Sequence, residues 1–163
     1  MKIIIQIPSF NEEQQLTNTV NSIRSALLTK DFAIPNELIE WEILVVNDGS
    51  IDNTEKVAKD LNVDHIISHK TNRGLASTFR TGIKTSLELG ADIIVNTDAD
   101  NQYNALDIIK IVKPVLAGDS DIVIGERPIF SHKEFKFSKK VFQILGSWFV
   151  RSISKTEVKD VPS

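Results

Sequence analysis

Apolar residues along this chain follow two alternating rhythms. Short runs are apolar at nearly every position, as in Ile3-Ile4-Ile5, Ile43-Leu44-Val45-Val46 and Ile93-Ile94-Val95. Between them lie longer stretches where apolar residues recur every three or four positions, as in Leu16, Val20, Ile23 and Leu27. A run apolar on both faces suits a strand in a parallel sheet covered on both sides, and the wider spacing suits a helix with one buried stripe. The pattern predicts a strand over residues 2–7, stopped by Pro8, which has no N–H for a ladder. Glu12 and Glu13 then open a helix reaching Arg24 and Leu28, favoured by acidic side chains at its positive end. A loop with Pro35 leads to a strand over 41–46 and a helix through Val57, Ala58 and Leu61, capped by Asp52. A weaker strand follows over 63–68, then a helix over 75–89 closed by Gly90. The strand at 93–95, central by its composition, a helix over about 106–116 and an apolar strand over 121–124 complete the series. Strict alternation of strand and helix predicts right-handed β-α-β units, a mainly parallel sheet and an α/β fold.

Composition narrows the possibilities. With 163 residues, 41% hydrophobic and 25% charged, the chain suits one globular domain with a core of its own. The absence of cysteine excludes disulfides and thiolate chemistry, and three histidines (His65, His69, His132), read as surface positions, make a His-based zinc site hard to assemble. A net charge of -3 speaks against bulk nucleic-acid binding. No apolar run approaches the roughly 20 residues of a membrane span, and residue 2 already enters a strand without a leader pattern, so the expected location is cytoplasmic.

The polar residues worth most sit where strands end. Ile93-Ile94-Val95 runs into Asp98-Ala99-Asp100, and Val45-Val46 into Asn47-Asp48. The carboxyl ends of strands in an open α/β sheet are where ligands bind. Two carboxylates one residue apart repel each other, and a hard divalent cation such as Mg²⁺ or Mn²⁺ relieves that conflict with help from substrate phosphates. An acidic turn is the plain alternative for Asp-x-Asp taken alone; its place after an apolar strand favours a metal-phosphate site. Arg73-Gly74 divides evenly between a helix start and an arginine reaching phosphate, while Arg80 reads as a solvated helix residue and Asp52 and Thr54 as structural. From residue 127 the chain turns basic and aromatic, with Lys133, Lys136, Lys139, Lys140 and Arg151 beside Phe135, Phe137, Phe142, Trp148 and Phe149. This is either an amphipathic segment packed on the sheet or one suited to an anionic membrane surface.

Taken in order, Ile7-Pro8-Ser9-Phe10-Asn11-Glu12-Glu13, Val46-Asn47-Asp48-Gly49-Ser50-Ile51-Asp52-Asn53-Thr54, Asn72-Arg73-Gly74, Asp98-Ala99-Asp100-Asn101-Gln102 and Gly125-Glu126-Arg127 resemble the family 2 inverting glycosyltransferases of the GT-A (nucleotide-diphospho-sugar transferase) fold. The likeness covers nearly the whole chain and is greatest to the branch making polyprenyl-phosphate sugars, such as dolichol-phosphate mannosyltransferase. It implies a three-layer α/β/α catalytic domain spanning residues 1–163, with residues from about 127 on the acceptor side and the chain cut off within an Asp-x-x-Ser-Gly-Phe-Arg motif that opens at Asp160.

The resemblance places Pro8, Phe10 and Glu12 around base and ribose, with Phe10 where the family often has tyrosine. Asp48 would accept from the base or ribose, and Arg73, Asp98, Ala99 and Asp100 would complete the nucleotide-sugar site. Asp98, Asp100 and Gln102 would hold Mg²⁺ or Mn²⁺. Arg127 would meet phosphate and Asp160 would act near the acceptor. Tyr103-Asn104 departs from the His-Pro often found after that glutamine. The implied partners are a UDP- or GDP-sugar donor and a lipid-phosphate acceptor, met in the cytoplasm or at the cytoplasmic face of a membrane. A saccharide hydroxyl acceptor in polysaccharide synthesis, or a sugar-nucleotide binding module without catalysis, are the alternatives. A nucleotidyltransferase is disfavoured because residues 7–13 lack glycine, and a Rossmann dehydrogenase for want of Gly-x-Gly-x-x-Gly.

Overall fold

The computed structural model describes residues 1–29 and 39–125. Among the described residues, eight elements alternate: β1 (Lys2–Ser9), α1 (Leu16–Leu27), β2 (Glu40–Asn47), α2 (Thr54–Asp60), β3 (His65–Ser68), α3 (Leu75–Glu88), β4 (Ile93–Asn96) and α4 (Asp107–Leu116). The strands form a parallel sheet in the order β3-β2-β1-β4. β1 is its axis, paired along its whole length with β2 and from Ile3 to Gln6 with β4. Residues up to Val123 form one compact unit, and a second unit begins at Ile124.

Period-two alternation along β1 divides the interior. Ile3, Ile5 and Ile7 share the larger core with Leu16, Val20 and Ile23 of α1, Ala58 of α2 and Ile108, Ile109 and Val112 of α4. Ile4 belongs to a smaller core with Leu44 and Val46, against which Leu89 and Ala91 pack. On that face Gly82 of α3 lies so close that an added Cβ would sit 1.9 Å from Gln6 Oε1 and 3.3 Å from a Val46 methyl. Helices therefore cover both faces, in the three-layer arrangement expected.

Pro8 does not end the first strand. It lies within β1, opposite Val46. The carbonyl of Gln6 accepts from Thr97 on the β4 side, and Pro8, two residues on, turns its nitrogen the same way. Since pairing with β4 has stopped by then, no ladder bond is lost. Helix α1 begins at Leu16 rather than at Glu12: residues 13–15 form a turn, and the amides of Glu12 and Glu13 bind Thr54 Oγ1 and Asp52 Oδ2. The strand expected over 121–124 is not formed: Ile122 and Ile124 are exposed and no described strand pairs with them. Consequently β4 is an edge strand of the described sheet rather than a central one, with Ile93 and Ile94 only half-buried. A strand exists through its ladder, and an apolar run alone does not supply one.

Candidate active site at the carboxyl edge of the sheet

Parallel pairing carries Ser9, Asn47 and Asn96 to one edge, and the loops leaving them meet there. The first two loops are laced together. Asn11, in a left-handed conformation (φ 55°), donates its backbone N–H to Ser50 Oγ at 2.9 Å and accepts from the Ile51 N–H at 3.0 Å. Glu12 N–H meets Thr54 Oγ1 at 2.8 Å, Glu13 N–H meets Asp52 Oδ2 at 3.2 Å, and Glu13 Oε2 accepts from both nitrogens of Asn53. Asp52 also accepts from the Thr54 N–H at 2.9 Å, so it caps the turn entering α2 from one position before the N-cap, Asn53. Asp52 and Thr54 are structural, as read from the sequence.

Asp48 is buried, and its oxygens are taken by the protein itself. Oδ1 accepts from His69 Nδ1 at 2.7 Å and from the Arg73 N–H at 2.9 Å; Oδ2 accepts from the Gly74 N–H at 2.9 Å. Burial pushes its pKa up, but bonds from His69, the Arg73 amide, Thr78 and the Gly74 amide outweigh that and hold the carboxyl below its usual range. A base or ribose donor would have to share an acceptor that already has these partners. The His69 side chain is only 6% exposed, contrary to its expected surface position, and its Nε2 lies 3.0 Å from Thr81 Oγ1 on α3. Gly49 is required next door: its φ is +67°, and a Cβ would sit 2.4 Å from the Thr71 carbonyl carbon.

The Asp98-Ala99-Asp100 loop is anchored from beneath. Thr19, buried on α1, donates its hydroxyl to the Ala99 carbonyl at 2.7 Å. The Ala99 side chain belongs to the large core, so it turns away from the crevice while Asp98 and Asp100 stay half-exposed on either side. Asp100 Oδ1 accepts the Gln102 N–H at 3.0 Å, and Gln102 itself is exposed. Glu12 reports the local field: desolvation first, then the charges of Asp100, Asp52 and Asp98, push its pKa above the usual value. Glu12 thus feels the charges of carboxylates on the two neighbouring loops.

Among the described residues, no group of three or more His, Cys, Asp or Glu is close enough together to enclose a metal ion. The donor set fits Mg²⁺ or Mn²⁺ of the kind held by one or two carboxylates with phosphate oxygens completing the shell. Asp98 also lines a cavity of about 550 Å³ with Asn96, Arg80, Leu75, Phe79 and Ile83. Pro8 is buried beneath this edge, whereas Phe10 and Arg73 are exposed upon it. Arg127 and Asp160, with the basic, aromatic stretch between them, lie outside the described residues.

Sequence reasoning missed His69 and Thr19. A signal existed for each: His69 follows directly after a predicted strand on the edge where Asp48 lies, and Thr19 is a polar residue on the apolar stripe of α1.

Residues 4–159 match the model of glycosyl transferase family 2. The chain belongs to that family. Among family members it is 31% identical over 191 residues to a UDP-N-acetylglucosamine–dolichyl-phosphate N-acetylglucosaminyltransferase of Methanococcus voltae, covering 96% of this chain and 71% of that protein. It is 28% identical to an undecaprenyl-phosphate mannosyltransferase of Micrococcus luteus, over 99% of this chain and 63% of the relative. A dolichol-phosphate mannosyltransferase of Pyrococcus furiosus is 30% identical, over 99% of this chain and 43% of its own length. The chain thus spans from under half to about seven-tenths of these relatives. Solved structures share the GT-A fold. Staphylococcus aureus TarS superposes with a TM-score of 0.62 at 18% identity, over 85% of this chain and 24% of TarS. Glucosyl-3-phosphoglycerate synthase of Mycobacterium tuberculosis, solved with Mn²⁺ and UDP, superposes at 0.53 with 24% identity, over 71% of this chain and 39% of its own.

Proposed function

We propose that this family 2 protein takes part in the transfer of a sugar, with inversion, from a nucleoside-diphosphate sugar to a polyprenyl phosphate. The observation that carries the reading is the pair of half-exposed carboxylates, Asp98 and Asp100, on the loop at the edge where the parallel strands end, with Glu12 on a neighbouring loop feeling their charge. So much negative charge repels a bare diphosphate and favours one accompanied by a divalent cation. Bound there, Mg²⁺ or Mn²⁺ would act as a Lewis acid toward the diphosphate leaving group. Asp98 and Asp100 supply the carboxylate oxygens, with Gln102 beside them. Phe10, 43% exposed above buried Pro8, offers a ring face on which a base can stack. Exposed Arg73, on the loop whose amides Asp48 holds, would reach a phosphate, and Glu12 would border the ribose.

The acceptor reading rests on the relatives' printed names and on the chain's own basic, aromatic stretch from residue 127, both of which suit a lipid phosphate at the cytoplasmic face of a membrane. An anionic phosphate needs positioning more than deprotonation, a task suited to Arg127, with Asp160 orienting the acceptor or its partner groups. No described helix is long and apolar enough to cross a membrane. Residues 1–163 act in this scheme as one catalytic domain.

Calorimetry with UDP- and GDP-sugars, with and without Mn²⁺, tests the donor half. One of the two should bind only with the metal, and Asp100→Ala should weaken it at least about tenfold, the worth of a hydrogen bond or ligand to a charged group. Unchanged affinity in that variant, with the fold intact by circular dichroism, refutes the assignment.

A further inference from the structure

We infer that His69 is a positioning residue for the donor site, acting through Asp48 on the loop that presents Arg73; the inference rests on the function proposed above. His69 ties three elements together through its backbone and its ring. Its backbone N–H extends the β2–β3 ladder to the Asn47 carbonyl at 2.9 Å, Nδ1 meets Asp48 just past β2, and Nε2 meets Thr81 in α3. The side chains of His69 and Asp48 are 6% and 5% exposed, so water does not compete for the bond between them. An ionised carboxylate only accepts, which fixes the Nδ1 proton toward Asp48.

What Asp48 does with its remaining capacity gives the pair its purpose. It accepts the N–H groups of Arg73 and Gly74, the last residue before α3. Gly74 has φ +85°, and its carbonyl in turn accepts from the amides of Ser77 and Thr78 and from the Thr78 hydroxyl. The carboxylate therefore fixes both where α3 begins and how the exposed Arg73 leaves the backbone. Without the imidazole, Asp48 would lose its only charged-capable side-chain partner among the described residues and could rotate away from the two amides it holds. A tilted Arg73 backbone displaces the guanidinium at the end of its long side chain, enough to spoil phosphate geometry.

Three variants separate this from simple packing. His69→Ala removes both contacts, His69→Asn restores a donor close to the Nδ1 position, and Thr81→Val removes only the outer contact. Amide hydrogen exchange on the full chain reads the loop directly and needs no ligand. In His69→Ala, the Arg73 and Gly74 amides should exchange at least about tenfold faster while β1 amides keep their protection. The same variant should bind the UDP- or GDP-sugar that wild type takes with Mn²⁺ about tenfold more weakly, with His69→Asn within about threefold of wild type. If His69→Ala does not fold, Thr81→Val should show the same two effects in smaller measure. Unchanged exchange at Arg73 and Gly74 overturns the inference, as does faster exchange with unchanged nucleotide affinity. Wild-type protein that binds neither sugar nucleotide refutes the proposed function instead, and the exchange result then decides His69 by itself.

Discussion

Single hydrogen bonds between residues far apart in sequence set this edge of the sheet. Thr19 and Ala99 are 80 positions apart, and the bond from the Thr19 hydroxyl holds the carbonyl that lies between two half-exposed carboxylates. Thr19→Val keeps the shape and leaves that carbonyl unpaired in a buried place. It should cost about 1–3 kcal/mol, read as a lower urea midpoint at unchanged slope, and Thr19→Ser should recover most of it. A midpoint for Thr19→Val equal to that of wild type would show that the bond adds nothing. Asp98 and Asp100 were legible in the sequence because they follow an apolar strand. Thr19 was not, since what singles it out is a carbonyl brought beneath it by folding. His69 escaped for the same reason: a histidine in a polar loop looks solvated until Asp48 and Thr81 are seen on either side of it.

Helix α3 shows the limit of reading periodicity at the scale of an element. Its existence and its end were plain, with Leu89 as C-cap and Gly90 at φ +80°. Its orientation was not. It buries Thr78, Gly82 and Ser86, spaced by four, and leaves Leu75, Phe79 and Leu87 exposed, the reverse of the usual amphipathic rule. Small residues let the helix settle closely on β1 and β2, where bulk is supplied by the sheet. Gly82→Ala tests this because two effects oppose each other. Helix propensity favours alanine by about 1 kcal/mol, whereas the new Cβ meets the fully buried Gln6, whose Nε2 is bonded to Asn96 Oδ1 at 3.0 Å. Overpacking of about 1–3 kcal/mol should win, giving net destabilisation. In a Gln6→Ala background the same substitution should turn neutral or stabilising; equal effects in both backgrounds would mean that Gln6 is not the obstacle. The unformed strand over 121–124 carries a similar lesson, since its apolar run resembles β4 and only a ladder partner distinguishes them.

For the molecule as a whole, charge placement predicts how stability changes with acid. Glu42 lies below its ordinary 4.5 chiefly through the Lys2 hydrogen bond, and Asp48 and Asp52 lie below 3.8 because hydrogen bonds outweigh their burial. Depressed carboxyl values contribute stability above the unfolded-state pKa and lose it as pH falls through the folded value. The urea midpoint should therefore hold near neutrality and drop once pH passes below about 4.5, continuing beneath 3.8. Glu12, raised by desolvation and its acidic neighbours, works in the opposite sense and should soften the onset. A midpoint flat down to pH 3 would contradict these assignments. The alternation of elements, and hence the parallel sheet, was legible from the apolar rhythm; the lacing of loops across the edge was not, because it depends on backbone amides that every sequence has. The order β3-β2-β1-β4 also bears on how the chain is made. Of the four described strands β1 is synthesised first yet takes an inner place, with its second neighbour ending only at Asn96. Throughout the synthesis of the residues between them, Ile3-Ile4-Ile5 is a β-prone segment with an open side, the kind of sequence that sticks to its own copies on neighbouring nascent chains. The same centrality that hides those isoleucines completely in the folded protein makes them a hazard before it is folded.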